Sequence, residues 1–250
     1  MNVLFQTRKD YKENLAGDSI QMQKTKEYLE KIGIDVDIST KDYISLEKYD
    51  IIHIFNLTRI KESYGFTQNA LKQGKPYALS TIYWDMSDYI KNGKNTPTRI
   101  EWWKRDNHLR EEMLNNAAIL LPNSEIEWEV LKRSFNVKCQ YSVIPNCADR
   151  FFYDAKPDNF ISEYGLTDFI LCVGRISCRK NQLALINALK GTGLNVVLIG
   201  PNNNEDYYKQ CKFAAGSNAL FIDQMPYYKL ASAYAAAKVH VLPSWFETPG

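Results

Sequence analysis

Cationic side chains are concentrated at one turn, within the stretch VGRISCRKNQLALINAL at residues 173–189. Gly174, Arg175 and Lys180 lie where an apolar run gives way to a helical pattern. A helix N-terminus adds unpaired N–H groups and about half a positive charge, and arginine and lysine grip different oxygens of an anion. The turn therefore predicts a site for a diphosphate. The alternative is that Arg179 and Lys180 are solvated and that Arg175 pairs with a surface carboxylate.

A carboxylate follows a later apolar run, in the stretch LPSWFETPG at residues 242–250. An ionised Glu247 would accept hydrogen bonds from sugar hydroxyls through its two oxygens. The segment Thr248, Pro249 and Gly250 would expose backbone N–H groups at the start of a following helix. The competing interpretation is a turn that only caps this helix.

Alternating strands and helices are expected to position these groups. Short apolar runs alternate with longer mixed segments, which predicts βαβ crossovers and mostly parallel sheets covered on both faces. Ligands of such sheets collect beyond the carboxyl ends of the strands, where both groups lie. The predicted strands cover residues 2–5, 34–38, 50–55, 76–81, 117–122, 141–145, 169–173, 195–199, 219–222 and 239–242. The predicted helices cover residues 18–32, 60–73, 98–116, 125–135, 181–190, 204–215 and 227–237.

Two such series are separated by residues 146–166, which show no clear period. We place the boundary near Ser162, with an amino-terminal domain at residues 1–161 and a carboxy-terminal domain at residues 162–250. The sequence stops soon after the fourth strand of the second series, so the second domain is expected to be incomplete.

Composition narrows the class of protein. The chain has 250 residues, 24% of them charged, and a formal net charge of +2, so the sequence does not predict a nucleic-acid-binding protein. The five cysteines form no C-x-x-C pair, which is typical of reduced thiols in a cytoplasmic protein. The N-terminus lacks a secretory apolar segment, and no apolar run approaches the ~18 residues that span a bilayer.

Together these motifs resemble those of retaining GT-B glycosyltransferases of sequence family four, the glycosyl transferases group 1. The segment from Gly174 to Asn181 is similar to the family's G-R-x-x-x-x-K-N signature, and residues 241–250 look like the start of its E-x7-E motif. Residues 143–146, V-I-P-N, are similar to its I-P-N-G linker, with Cys147 in place of glycine. The second glutamate of the motif would lie beyond Gly250, so the donor site of this sequence is expected to be incomplete and the fragment inactive by itself.

The resemblance implies an α/β fold of the GT-B type, with two Rossmann-like domains facing a cleft. It implies transfer of a hexosyl unit from a UDP-sugar or GDP-sugar to a glycan or lipid-linked acceptor in polysaccharide biosynthesis, with retention of anomeric configuration. No resident cofactor is expected, and no metal, because fixed cations and a helix N-terminus would stabilise the charge that builds on the leaving diphosphate. The implied catalytic residues are Glu247, Arg175 and Lys180. The implied donor-binding residues are Gly174, Arg175, Lys180, Gly200, Glu247, Thr248, Pro249 and Gly250.

On the acceptor side the resemblance is looser. Gly17 and Asp18 lie where the family has a glycine loop beneath the donor phosphates or acceptor, although a plain helix cap by Asp18 is the alternative. Asp85 is placed to contact an acceptor. Ser124 follows a strand as a common serine of the family does, or caps the next helix. His53, within a strand, is expected to be a core histidine.

The sequence also fits other functions. A nucleotide-sugar-binding subunit without turnover would fit the missing second glutamate. An epimerase acting on a nucleotide sugar would fit the fold but not the R-x4-K spacing followed by E-T-P-G. The stretch WWKR at residues 102–105 could touch the inner face of a membrane, or form a helix with one buried tryptophan and solvated cations.

Overall fold

The computed structural model describes residues 1–13, 16–92 and 96–247. The chain forms two compact units, one ending at Asn146 and the other beginning at Cys147. Among the residues described, no helix has both the length and the apolar character needed to cross a membrane.

The described part of the first unit contains a five-stranded parallel sheet covered by helices on both faces. Its strands are β1 (Asn2–Gln6), β2 (Asp35–Ser39), β3 (Ile51–Phe55), β4 (Tyr77–Ser80) and β5 (Ile119–Leu121), in the spatial order β2-β1-β3-β4-β5. Its helices are α1 (Gly17–Lys31), α2 (Ile60–Lys72), α3 (Ser87–Lys91), α4 (Thr96–Lys104), α5 (Asn107–Asn116) and α6 (Glu125–Ser134).

Both faces of this sheet carry a core. Leu4 packs in one apolar cluster with Ile52, whereas its neighbours Val3 and Phe5 pack in another with Val36. Successive side chains of a strand point to opposite faces, so a strand that is apolar throughout is buried on both sides.

The second unit repeats this architecture with a four-stranded parallel sheet in its described part. Its strands are β6 (Phe169–Val173), β7 (Val196–Ile199), β8 (Ala219–Ile222) and β9 (Ala237–His240), in the order β8-β7-β6-β9. Its helices are α7 (Arg150–Tyr153), α8 (Asp158–Tyr164), α9 (Gln182–Leu189), α10 (Glu205–Ala215) and α11 (Tyr227–Ala236). The strands of each sheet are parallel, so their carboxyl ends share one edge, where the candidate residues lie.

The predicted helix over residues 98–116 is divided into α4 and α5. At the break, Arg110 Nη1 donates to the carbonyl of Trp103 at 3.0 Å. In a continuous helix that carbonyl would accept from the N–H of Asn107. The predicted strand over residues 141–145 is reduced to a single bridge between Tyr141 and Leu120.

Two short helices, α7 and α8, occupy the stretch in which the sequence shows no clear period. Phe160 of α8 is buried against Phe169, with 5.0 Å between ring centroids, and its N–H donates to Ser232 Oγ at 3.0 Å. These contacts attach α8 to the second unit, so the division falls between Asn146 and Cys147 rather than near Ser162.

Candidate functional site

Two glycines at the carboxyl ends of neighbouring strands shape the candidate site in the second unit. Gly174 follows β6 with φ +143° and Gly200 follows β7 with φ +149°, values that favour glycine. A Cβ on Gly200 would lie 2.3 Å from the carbonyl oxygen of Gly174 and 2.6 Å from its carbonyl carbon. The absence of both side chains therefore lets the two turns touch through their backbones.

The turn after Gly174 is fixed to its surroundings on both sides. The N–H of Ile176 donates to the carbonyl of Pro201 at 2.9 Å, and the side chain of Gln182, only 1% exposed, donates to the carbonyl of Arg175 at 3.0 Å. Asn181 then adopts a left-handed conformation with φ +58°, after which α9 begins. The backbone that carries Arg175 is held by these bonds, and the Arg175 residue as a whole is half-buried.

Lys180 crosses the space that a side chain at position 174 would fill. Its Cε lies 3.3 Å from the place where a Cβ on Gly174 would be, and its side chain is 15% exposed. Lys180 belongs to a short 3-10 turn, Cys178–Lys180, that comes before α9. The alternative in which Lys180 is a solvated surface lysine is therefore wrong.

The ammonium of Lys180 pairs with Oε1 of Glu247, so the two stretches singled out in the sequence meet. Arg179 Nη1 lies 3.3 Å from the same oxygen. Burial by itself would raise the pKa of Glu247, but the hydrogen bond from Lys180 and the charges of both cations hold that pKa below its ordinary value. Glu247 is thus an anion at neutral pH, enclosed by two cations.

Arg179 is the member of this cluster that sequence reasoning missed. The sequence placed it only as a solvated residue, whereas its side chain is 34% exposed and donates to the carbonyl of Phe246 at 3.0 Å as well as to Glu247. Its own carbonyl accepts from the N–H of Trp245 at 3.0 Å. The predicted donor-binding residues Thr248, Pro249 and Gly250 lie outside the described residues.

In the first unit, Gly17 and Asp18 lie at the carboxyl end of β1, as expected, but Asp18 is committed to protein partners. Ala16 is the N-cap of α1, so the alternative in which Asp18 caps this helix is wrong. The Asp18 carboxylate accepts from Arg8 Nε at 3.1 Å and from Asn56 Nδ2 at 2.9 Å, and Arg8 is 3% exposed. Asp18 therefore serves as the counter-ion of a buried arginine.

The segment that follows β4 is held by a buried carboxylate that the sequence analysis did not single out. Glu127, 4% exposed, accepts from the hydroxyl of Thr81, from the N–H of Tyr83 at 2.8 Å and from the N–H of Asn123 at 2.7 Å. Burial raises its pKa, and these hydrogen bonds oppose that rise. The spacing of Ser124 and Glu127, a capping box, was the signal that could have revealed it.

Three further predicted residues occupy ordinary structural positions. The hydroxyl of Ser124 caps α6 by accepting from the N–H of Glu127 at 3.1 Å. Asp85 is exposed and accepts from the N–H of Ser87 at 2.8 Å, next to the start of α3. His53 stacks on Phe55 with 4.1 Å between ring centroids, and burial lowers its pKa to about 3, so it is a neutral core histidine.

The two tryptophans of the WWKR stretch have different environments. Trp103 is buried at 5% exposure beneath the guanidinium of Arg110, which lies 4.6 Å from its ring centroid. Trp102 is 59% exposed, and Lys104 and Arg105 are also exposed. One tryptophan is thus buried, and the other is exposed together with the two cations of the stretch.

No protein-family model matches the sequence, and no curated protein matches it significantly. Solved structures do. The sucrose-phosphate synthase of Thermosynechococcus elongatus is 17% identical with a TM-score of 0.78, over all of this chain and 77% of that one. The catalytic domain of Arabidopsis thaliana starch synthase IV, bound to ADP and acarbose, is 11% identical with a TM-score of 0.63, over all of this chain and 79% of that one.

A third similar structure is the UDP-GlcNAc 2-epimerase of Neisseria meningitidis bound to UDP-GlcNAc. It is 11% identical, with a TM-score of 0.53 over 96% of this chain and 76% of that one. At such identities the similarity concerns the fold. The chain has the mixed α/β fold of GT-B proteins, built from two Rossmann-like units with parallel sheets.

Proposed function

We propose that this chain belongs to a retaining glycosyltransferase of sequence family four, which moves a hexosyl unit from a UDP-sugar or GDP-sugar to a glycan or lipid-linked acceptor. The observation that carries the proposal is the cluster of Lys180, Arg179 and Glu247 at the carboxyl edge of the second sheet. A carboxylate between cations at this edge suits a ligand with a diphosphate beside a ring of hydroxyls.

The diphosphate is assigned to Arg175 and Lys180. Cleavage of the bond between sugar and phosphate builds negative charge on the leaving diphosphate, and preorganised cations stabilise charge where it develops. Lys180 is suited to this role because its stem is held over Gly174 and its ammonium is already in place. Each such donor typically contributes about 3 kcal/mol to the transition state.

The donor sugar is assigned to Glu247 and to the backbone N–H groups of the residues that follow it. The anionic form of Glu247 accepts hydrogen bonds from hydroxyls through its oxygens. The nucleotide sugar is the substrate, and the proposal includes no resident cofactor or metal. It includes a cytoplasmic location and a peripheral membrane contact through the exposed Trp102, Lys104 and Arg105.

The test uses the full-length protein. A thermal-shift screen of UDP, GDP and their sugars identifies the donor, because a ligand that binds only the folded state raises the melting temperature. Lys180→Met is expected to lower turnover about 100-fold, the equivalent of one donor to the developing charge. Lys190→Met, which removes an exposed lysine at the end of α9, is the matched control. Equal activity of the two variants would refute the assignment.

Product analysis separates the competing functions. A new glycosidic linkage with the anomeric configuration of the donor supports transfer with retention. Conversion of the nucleotide sugar without an acceptor supports an epimerase, the function for which the fold of the Neisseria meningitidis enzyme is a precedent. Tight binding of the nucleotide sugar with neither product supports a subunit that binds without turnover.

A further inference from the structure

Arg179 joins the turn before α9 to the segment after β9 through its backbone and its side chain. Its carbonyl accepts from the N–H of Trp245 at 3.0 Å. Its Nη1 donates to the carbonyl of Phe246 at 3.0 Å and to Oε1 of Glu247 at 3.3 Å. The guanidinium carbon lies 5.2 Å from the centroid of the Phe246 ring. These four contacts bind Arg179 to three consecutive residues, the last of which carries the carboxylate of the candidate site.

Arg179 and Lys180 share one oxygen of Glu247, and this sharing has a consequence for a bound donor. Under the proposed function the ammonium of Lys180 is also needed by the diphosphate. An ammonium whose charge is neutralised by a phosphate attracts a neighbouring carboxylate less strongly. A partly buried carboxylate that loses its only cation becomes protonated or turns towards water. Glu247 needs a second cation that the diphosphate does not use.

We propose that Arg179 is a positioning residue, which holds the carboxylate of Glu247 beside the donor sugar while Lys180 neutralises the diphosphate. This inference rests on the proposed function and adds to it a residue to which the sequence pattern assigns no role. The planar fork of arginine suits the task, because one guanidinium can bind a carbonyl and a carboxylate at the same time and stack on an aromatic ring.

The other chemical role for a cation here is that of a third phosphate ligand. The geometry favours positioning, because the guanidinium already donates to Phe246 and Glu247 and lies against the Phe246 ring. A phosphate ligand would have to leave these contacts. The two roles differ in one measurable respect: a phosphate ligand contributes to the binding of any nucleotide diphosphate, whereas a residue that positions Glu247 contributes only when a sugar is attached.

The experiment measures binding by titration calorimetry with two pairs of probes, UDP with UDP-glucose and GDP with GDP-mannose, on the full-length protein. For the pair that binds, Arg179→Gln is expected to change the Kd of the nucleotide diphosphate by no more than about twofold. It is expected to raise the Kd of the nucleotide sugar about tenfold, which is the effect of one lost charge-assisted hydrogen bond. Arg179→Lys, which keeps the charge, should fall between. Arg150→Gln, at a side chain 91% exposed in the same unit, is the matched control.

Two further readouts distinguish positioning from a general loss of structure. The double variant Arg179→Gln with Glu247→Gln should lose as much affinity for the nucleotide sugar as Glu247→Gln alone, because both changes remove the same interaction. The pH below which affinity for the nucleotide sugar falls should move upward in Arg179→Gln, because the pKa of Glu247 rises when a cation is removed. A merely structural role of Arg179 would produce neither effect.

Several outcomes overturn the inference. If Arg179→Gln weakens the binding of the nucleotide diphosphate and of the nucleotide sugar equally, Arg179 is a phosphate ligand. If it weakens the binding of neither, Arg179 has no role in the site. Additive losses in the double variant would show that Arg179 does not act through Glu247. If the unaltered protein binds none of the four probes, or if Lys180→Met binds them normally, the proposed function itself fails and the inference falls with it.

Discussion

The contact between Gly174 and Gly200 yields a prediction about stability that depends on backbone geometry alone. In Gly200→Ala the new Cβ would meet the backbone carbonyl of Gly174 at 2.3 Å, at a residue with φ +149°. A backbone atom cannot turn aside as the end of a flexible side chain can, so β6 and β7 must separate or the turn must change. Conformational strain of about 1–3 kcal/mol and overpacking of about 1–3 kcal/mol give an expected loss of about 4 kcal/mol.

Gly193→Ala provides a matched control in the same unit. Its φ of +76° also disfavours a side chain, but a Cβ there would meet nothing within 4 Å. Only the conformational cost remains, about 1–2 kcal/mol. The difference between the two variants therefore reports mainly the clash.

Hydrogen exchange measured by mass spectrometry in increasing urea is the appropriate assay, because two units need not unfold together and a single melting curve would combine them. The free energy of opening is read from the amides of β6 and β7. We expect Gly200→Ala to lower it by at least about 2 kcal/mol more than Gly193→Ala does, on the two estimates above. Equal effects of the two substitutions would show that the two turns are not in contact.

Two further predictions concern the first unit. Glu127→Gln should destabilise the first unit by about 2–3 kcal/mol in the same exchange assay, because an amide nitrogen cannot accept the hydrogen bonds that one carboxylate oxygen now accepts. Glu129→Gln, the control at an exposed residue of α6, should change the stability little. His53 has a pKa of about 3 when folded and about 6.5 when unfolded, so the unfolded chain binds more protons between these values and stability falls as the pH drops below about 6.5. Between pH 7 and pH 5 this loss should reach up to about 2 kcal/mol, and it should be absent from His53→Gln; an unchanged pH dependence in that variant would contradict the assignment.

Strands β6, β7 and β8 were predictable because each is a short apolar run between polar segments, whereas β9, with Lys238 and His240 in it, begins and ends two residues before the predicted bounds of 239–242. Strands β6 and β8 have the predicted bounds, and α10 and α11 differ from prediction by one residue. The helices α7 and α8 were missed because they are short, with four and seven residues, and too few turns show a period. What holds α8 is a tertiary contact of Phe160, which no local pattern contains.

The sequence predicted which strands and turns form the candidate site, but not which of its side chains pair with each other. The rule that ligands gather at the carboxyl edge of a parallel sheet placed Lys180 and Glu247 in one site although they are far apart in the sequence. It did not indicate that they touch, nor that Arg179 joins them, because a salt bridge depends on the direction of side chains after the backbone has folded. The same limit explains why the role of Asp18 was not predicted, since spacing in the sequence did not identify Arg8 as its partner.

The turn that follows β6 has one glycine, Gly174, and is not a glycine-rich phosphate loop, a difference that the described structure explains physically. A phosphate loop binds its anion through consecutive backbone N–H groups, and this requires several glycines in one turn. Here Gly174 and Gly200 lie after different strands, and their N–H groups donate to the carbonyls of Ile199 and Ile222 at 2.8 and 3.0 Å. Those N–H groups are used to join the strand ends and do not face an anion, whereas the turn carries cationic side chains, among them Lys180. The lack of a side chain on Gly174 leaves the space in which Lys180 lies, with its ammonium beside Glu247.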